Sequence, residues 1–186
     1  MSYTILQNTE QSKLAISFQR KCDIDAIRLV EITAYSKFVF KAESNPFSFS
    51  VDFGPDSSIL EGRTLRANTR YKVRILDREK NDIVTIKCVI AADYLLEDGF
   101  VPSAEQIKAF QEGPAIHNCW PYFRECAQAV ISRMNYPPLT LPFLWMAPAQ
   151  PQSGKAAKRV SATRSVRVAR ARQTPAELTP KPTERD

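Results

Sequence analysis

The chain has 186 residues, of which 44% are hydrophobic and 10% aromatic, enough for one domain with a core of its own. Its formal net charge of +6 arises entirely within residues 147–186, which carry nine basic and three acidic side chains. No run approaches the ~18 apolar residues of a membrane span, and the opening MSYTILQNTEQSKL lacks the basic start and apolar core of a secretory signal. We therefore expect a cytoplasmic protein without membrane insertion.

The front half of the chain predicts four antiparallel strands. Weak alternation covers residues 24–40, and clean alternation of apolar and polar residues covers 47–53, 65–75 and 84–94. A polar stretch, residues 77–82, predicts a hairpin loop between the last two strands. Antiparallel pairing follows because each strand has one polar face, whereas strands of a parallel sheet are apolar on both faces.

A short helix is predicted after the strands. Ser103 followed by Gln106 is the capping-box pattern of a helix start. Gly113-Pro114 predicts the end of that helix, since glycine and proline together are typical of helix termination.

A second, longer helix is predicted from about Asn118 to Met134. Its apolar residues recur at steps of three and four, and they are Trp120, Phe123, Ala127, Val130, Ile131 and Met134. Asn118 is the expected cap and Pro121 is expected in the first turn, where its missing N–H is harmless. Pro137-Pro138 then stops the helix. Strands followed by helices predict an α+β fold, a four-stranded antiparallel sheet with helices on one face.

The remaining residues predict a tail. Residues 147–186 are rich in Pro, Ala, Ser, Thr and Arg and hold few large apolar side chains, so we expect a domain of 1–146 and a disordered basic tail of 147–186. Such a tail either solubilises the protein or contacts nucleic acid through sequence-independent charge.

Catalytic and metal-binding patterns are weak. His117 is the single histidine, and its spacing to Cys119 and Cys126 matches no tight zinc pattern. The four cysteines are too few and scattered for a disulfide framework, so we expect small buried hydrophobes. The sequence shows neither a glycine-rich phosphate loop nor a nucleophile elbow. We expect no enzyme activity, no cofactor and no metal.

Apolar side chains exceed what one small sheet-and-helix layer buries. They cluster near segment ends and a proline-rich run, and they are Phe38, Phe40, Phe47, Phe49, Phe143, Trp145 and Met146. A larger core, an oligomer interface or a partner-binding surface each accounts for them. On the helix, Arg124 and Arg133 are either solvated or pair across a subunit interface, to which we also assign Tyr122.

Residues 120–142, WPYFRECAQAVISRMNYPPLTLP, resemble the most recognisable segment of the SecB family of export chaperones. The shared elements are an aromatic-Pro-Tyr-x-Arg-Glu motif, an arginine some residues later and a Pro-x-Leu stretch. Over residues 24–142 the order of predicted strands and helix is also similar to the family.

The resemblance implies an ATP-independent holdase that assembles as a dimer of dimers and binds unfolded polypeptides or preproteins in apolar grooves. It implies groove residues Phe38, Phe40, Phe47, Trp120, Phe143 and Trp145. It also implies docking of the SecA motor through acids on the outer sheet face, where Glu31 matches one such position.

Two departures bear on function. The strand at 65–75 turns Arg66, Arg70, Lys72 and Arg74 outward, and these would repel a basic SecA tail. The second C-terminal helix of the family is replaced by the basic tail. Besides export, we therefore keep the alternative of a dedicated chaperone of an antitoxin in a toxin–antitoxin module. A further alternative is a nucleic-acid-associated protein acting through its tail.

Overall fold

A computed structural model describes residues 2–37, 48–77, 79–148 and 164–165. In chain order its elements are β1 Ser2–Gln7, α1 Thr9–Gln19, β2 Cys22–Ser36, β3 Ser48–Glu61, β4 Thr64–Leu76, β5 Asp82–Leu96, α2 Ala104–Phe110, a π-helical turn Gln111–Ala115, α3 Ile116–Arg133, β6 Phe143–Pro148 and β7 Arg164–Ser165. None of the described helices is long and apolar enough to span a membrane.

Four long antiparallel strands form the main sheet, in the order β2-β5-β4-β3. β7 adds two residues beside Ser48 and Phe49 at the outer edge of β3. The three predicted clean alternations lie in β3, β4 and β5. In β4 the side chains at 65, 67, 69, 71, 73 and 75 are buried, while those between them are partly or fully exposed. The prediction of four antiparallel strands is therefore confirmed.

The helices lie on one face of this sheet, as predicted. Phe123 of α3 stacks on Tyr71 of β4 with ring centroids 4.6 Å apart, and the Tyr71 hydroxyl donates to the Ile116 carbonyl at 2.7 Å. Between the other two helices, Phe110 of α2 packs against Phe18 of α1 with ring centroids 4.4 Å apart. Aromatic pairs of this kind add to the free energy gained from burial alone.

The prediction that Gly113-Pro114 ends the short helix is wrong. α2 begins after the Ser103–Gln106 capping box as predicted, but it continues through the π-helical turn into α3. Pro114 has no N–H for the preceding turn, and Gln7 Nε2 donates instead to the Ala109 carbonyl at 2.8 Å. A side chain from β1 thus satisfies the backbone where the proline cannot.

The predicted start of the long helix is also wrong. α3 begins at Ile116 and no side chain caps it, because the helical path arrives there without a break. Asn118 instead donates to the Tyr94 hydroxyl at 3.2 Å. Pro121 is therefore an interior residue of α3 and does not mark its first turn.

The N-terminal region holds two elements that the sequence patterns did not predict, β1 and α1. The strand predicted at 24–40 is β2, Cys22–Ser36, and its last predicted residues lie outside the described part of the chain. β6 runs to Pro148, two residues past the predicted end of the domain. The disorder predicted for 147–186 stays a prediction, since only Ala147, Pro148, Arg164 and Ser165 of that stretch are described.

Candidate functional site

A cluster of aromatic rings joins α3 to the edge of the sheet. Trp120 lies 5.6 Å from Phe53 of β3 and 5.6 Å from Tyr3 of β1, centroid to centroid, both edge to face. Its indole N–H donates to the Pro142 carbonyl at 3.0 Å. Trp120 is only 3% exposed, so a partner reaches it only if one of these covering segments moves.

The segment after α3 is held against the helix by two anchors. Besides the Trp120 bond, Arg124 Nε donates to the Leu141 carbonyl at 2.8 Å. The Arg124 guanidinium also lies over the Phe143 ring, 4.8 Å from its centroid, which is a cation–π contact. These contacts fix the position of the following strand, β6, relative to α3.

β6 presents two large aromatic side chains to solvent. Leu144 is buried, while Phe143 and Trp145 on either side of it are 64% and 60% exposed. Alternation along a strand places these two on the same face. Exposed aromatic area at a structurally fixed position is typical of a binding surface, because it gains free energy when a partner removes it from water.

β6 pairs with β1 in a parallel, two-stranded ladder. The register joins Ser2 to Phe143, Thr4 to Trp145 and Leu6 to Ala147. Among the described residues neither strand has a second neighbour, so each keeps one unpaired edge. An unpaired edge offers backbone N–H and C=O groups to an extended peptide.

A second apolar surface lies between β2 and α3. Ile24, Leu29 and Ile32 pair with buried residues of β5, so they face the helix side, yet all three are exposed. Beside them a cavity of about 220 Å³ opens. Its lining consists of Ile27, Arg28, Leu29, Ile90, Tyr122, Glu125, Cys126 and Ala129.

The outer face of the sheet carries mixed charge. Arg66, Arg70, Lys72 and Arg74 alternate with the buried residues of β4, as predicted. A cavity of about 330 Å³ on this side is lined by Glu31, Asp52, Phe53, Asp56, Arg70, Tyr71, Lys72, Lys87, Cys88 and Val89. Glu31 is thus one acid on a face where Lys72 and Lys87 are direct cross-strand partners.

The cysteines behave as packing residues. Burial raises the pKa of both Cys88 and Cys119 to about 12 and that of Cys22 to about 11, so these thiols stay protonated at neutral pH. Burial also raises the pKa of Cys126. In the part of the chain that the structure describes, His, Cys, Asp and Glu form no group of three that could hold a metal ion.

No protein-family model and no curated protein matches the chain. Among solved structures it is similar to Rv1957 of Mycobacterium tuberculosis, a SecB-like chaperone in complex with a ChAD peptide from the HigA1 antitoxin, Rv1956. The TM-score is 0.66 and the identity 21%, covering 73% of this chain and 99% of that one. The fold is SecB-like.

A second structure is more distant. It is a protein of unknown function from Streptococcus agalactiae, with a TM-score of 0.36 and 10% identity over 66% of this chain and 98% of that one. So low a score carries no argument about this chain. The α+β class predicted from the strand and helix patterns is confirmed as a SecB-like fold by the first comparison alone.

Within the SecB-like fold, the predicted groove residues fall into three groups. Phe143 and Trp145 are exposed on β6, and Trp120 is buried beneath β1. Phe38, Phe40 and Phe47 lie outside the described residues. The roles assigned to all six stay predictions.

The three residues predicted for a subunit interface also lie in different surroundings. Tyr122 lines the cavity beside β2, while Arg124 is engaged within its own chain by Leu141 and Phe143. Arg133 is exposed at the last residue of α3. The interface itself stays a prediction.

Sequence reasoning missed Tyr3 and Phe53, which pack on Trp120, and Gln7, which bonds to the Ala109 carbonyl. One signal was present for the region: Asn8 and Gln11 form a capping box at the start of α1, which is spaced like the box at Ser103. A helix start at Asn8 leaves residues 2–7 as a separate alternating segment, and so indicates the strand β1.

Proposed function

We propose that this protein is an ATP-independent chaperone of the holdase type, which binds unfolded polypeptide segments. The observation that supports it is the pair Phe143 and Trp145, exposed on a strand that Arg124 and Trp120 anchor to α3. A rigidly placed aromatic surface binds extended apolar segments without a large ordering cost. Since the holdase binds the unfolded state, it delays folding and aggregation by mass action alone.

A dedicated antitoxin chaperone is the second candidate. The similar fold of Rv1957, seen with an antitoxin peptide, favours it over export. The outer face supports the same preference, because Lys72 and Lys87, which line the same cavity as Glu31, oppose docking of a basic SecA segment there. Docking of SecA is thus the weaker expectation. If the protein is a dedicated antitoxin chaperone, its client is a single extended segment of that antitoxin and not a range of preproteins.

The test is suppression of aggregation of a chemically denatured protein by the full chain. We expect Phe143→Ala with Trp145→Ala to weaken client binding about tenfold or more, because hot-spot aromatics carry most of an interface's free energy. Thermal stability should change much less than client binding, since both side chains are mostly exposed in the free protein, although the contact between Phe143 and Arg124 is lost. Val101→Ala is the control, an apolar residue that is 85% exposed in the connection between β5 and α2.

Two outcomes would reject the proposal. One is that the full chain and a form lacking residues 149–186 both fail to suppress aggregation. The other is that the double variant loses stability and binding in equal measure, which would make Phe143 and Trp145 core residues. Salt-sensitive nucleic-acid binding that disappears with the tail would favour the nucleic-acid alternative.

A further inference from the structure

The strand β1 covers the most apolar part of the site. Tyr3 packs edge to face on Trp120 at 5.6 Å and on Phe53 at 6.3 Å. Ile5, two residues on, is also buried. Without β1, these rings and the adjoining edge of β6 would face solvent.

The attachment of β1 is weaker than its position suggests. It pairs only with β6 in the described structure, and both strands have six residues. Parallel pairing is less stable per residue than antiparallel pairing. A two-stranded ladder outside a larger sheet is marginal in water. Opening β1 therefore costs less free energy than opening any strand of the main sheet.

The surface that β1 covers is its seat, and the contacts of β1 show which side chains this seat accepts. Tyr3, Ile5 and Gln7 alternate toward the protein, and Thr4 between them is exposed. The seat thus takes an aromatic ring, then an aliphatic side chain, then an amide that donates to the Ala109 carbonyl at 2.8 Å. Any extended peptide with apolar residues at every second position can make the first two contacts while pairing with β6.

We propose that β1 is a displaceable strap, and that an extended client segment with alternating apolar residues replaces it beside β6. This rests on the proposed chaperone function and names the site's ligand class and its regulation. Because β1 is tethered, it competes at a high effective concentration, of millimolar order for a short link. The apparent dissociation constant for the client is the intrinsic one divided by the fraction of molecules in which the strap is open. Trp120 contacts the client only after displacement.

A disulfide between β1 and β6 tests the strap. Leu6 and Ala147 are backbone partners in the ladder, at a separation that a disulfide spans. In Leu6→Cys with Ala147→Cys, oxidised glutathione takes two electrons and two protons from the two thiols, giving one S–S bond and two reduced glutathione molecules. The wild-type full chain, treated identically, controls for its own four cysteines.

Two fluorescent probes report on the seat. The first is reduced, carboxymethylated α-lactalbumin, a permanently unfolded protein. The second is the peptide Ser-Tyr-Thr-Ile-Leu-Gln, which copies β1, and its control is the same peptide with Tyr3→Ser and Ile5→Ser. We expect the oxidised variant to bind both probes at least tenfold more weakly than its reduced form, and the control peptide not to bind.

The outcomes separate this inference from the proposed function. Equal affinity for both probes in the oxidised and reduced forms overturns the strap and leaves the chaperone function standing. Binding of the β1 peptide without any binding of unfolded α-lactalbumin supports the seat and rejects the chaperone function. Hydrogen exchange gives a readout without engineered cysteines: the amides of residues 2–7 in the wild-type chain should exchange faster when the unfolded protein is bound. Unchanged exchange with the probe bound overturns the strap.

Discussion

Asp93 is a buried carboxylate on the outer side of the sheet, held between two arginines. Arg66 Nε and Arg28 Nη1 each lie 2.8 Å from a carboxylate oxygen. The hydrogen bond from Arg66, followed by that from Arg28, lowers the pKa of Asp93 below its usual 3.8, against the opposing effect of burial. Both guanidinium groups are partly exposed, so water screens the attraction.

Replacing Asp93 should make stability less dependent on pH. The folded-state pKa is lowered, so the stabilisation is complete above about pH 4–5 and is lost as pH falls through the folded pKa. Asp93→Asn should lower the free energy of unfolding by about 1–3 kcal/mol at pH 7, since it leaves two arginines without their acceptor. In urea titrations this difference should shrink as the pH falls from about 5 to 2.

The matched control is Asp98→Asn, which removes a carboxylate that pairs with Arg63 but is 86% exposed. It should change stability by less than about 1 kcal/mol. If Asp93→Asn and the wild-type chain instead lose stability in parallel as the solution is acidified, the Arg28–Asp93–Arg66 group contributes nothing through charge.

At the scale of elements, the position of β6 depends on side chains of the helix α3. Arg124 reaches from α3 to the Leu141 carbonyl and the Phe143 ring, and Trp120 reaches the Pro142 carbonyl. The strand β6 and its exposed aromatics are therefore positioned by side chains of α3 and by pairing with β1, and not by the main sheet.

Arg124→Met should loosen β6 without disturbing the main sheet. The variant keeps an apolar stem but loses the charged hydrogen bond and the cation–π contact, together worth about 1–3 kcal/mol. Hydrogen exchange should quicken in residues 141–148 and stay unchanged in β4 and β5. Arg133→Met, an exposed arginine on the same helix, is the control. Uniformly faster exchange would mean that Arg124 supports the whole fold and not the strand.

The elements differ in how far the sequence predicts them. β4 is predictable because one face is packed under helices and the other is partly or fully exposed, which gives residues 65–75 a two-residue period. β5 shows the same period in its residue types at 84–94, although Thr85, Ala91 and Asp93 on its outer face are also buried. The continuous path from α2 into α3 is not predictable, because Pro114 is accommodated by a donor from Gln7, far away in sequence. Local rules for glycine and proline cannot include such a contact.

The residues of the candidate site also differ in how far the sequence predicts them. The exposed apolar pair, Phe143 and Trp145, is predictable from a proline-rich run with more large side chains than a small core needs. The burial of Trp120 is not, since it depends on Tyr3 and Phe53 from two other elements. The sequence predicts which residues are apolar, while tertiary contacts decide which of them stay covered.

At the scale of the whole molecule, the edge strand β2 leaves an apolar surface uncovered. Ile24, Leu29 and Ile32 are exposed on the helix side of β2, and Leu29 lines a cavity together with Tyr122 of α3. A monomer rarely leaves a contiguous apolar surface exposed unless another molecule covers it. A second copy of the chain is the occupant that the predicted dimer of dimers requires.

Ile32→Asp should therefore shift the protein toward the monomer. A charge placed in an apolar interface costs several kcal/mol, enough to raise the dissociation constant by 100-fold or more. Sedimentation velocity of the full chain measures this directly. Val101→Asp adds the same charge at a position that is 85% exposed and should leave assembly intact. A wild-type chain that sediments as a monomer at micromolar concentration would contradict the predicted assembly.

The pairing of β1 with β6 also sets an order of events during synthesis. Residues 2–7 are made before the other described strands, but their partner strand, residues 143–148, is made after the four long strands of the main sheet. Contacts so distant along the chain form late, because closing the longest loop has the largest entropic cost. The nascent chain thus carries an unpaired apolar strand until its sheet and α3 are complete. The earliest of the described strands is then among the last to pair.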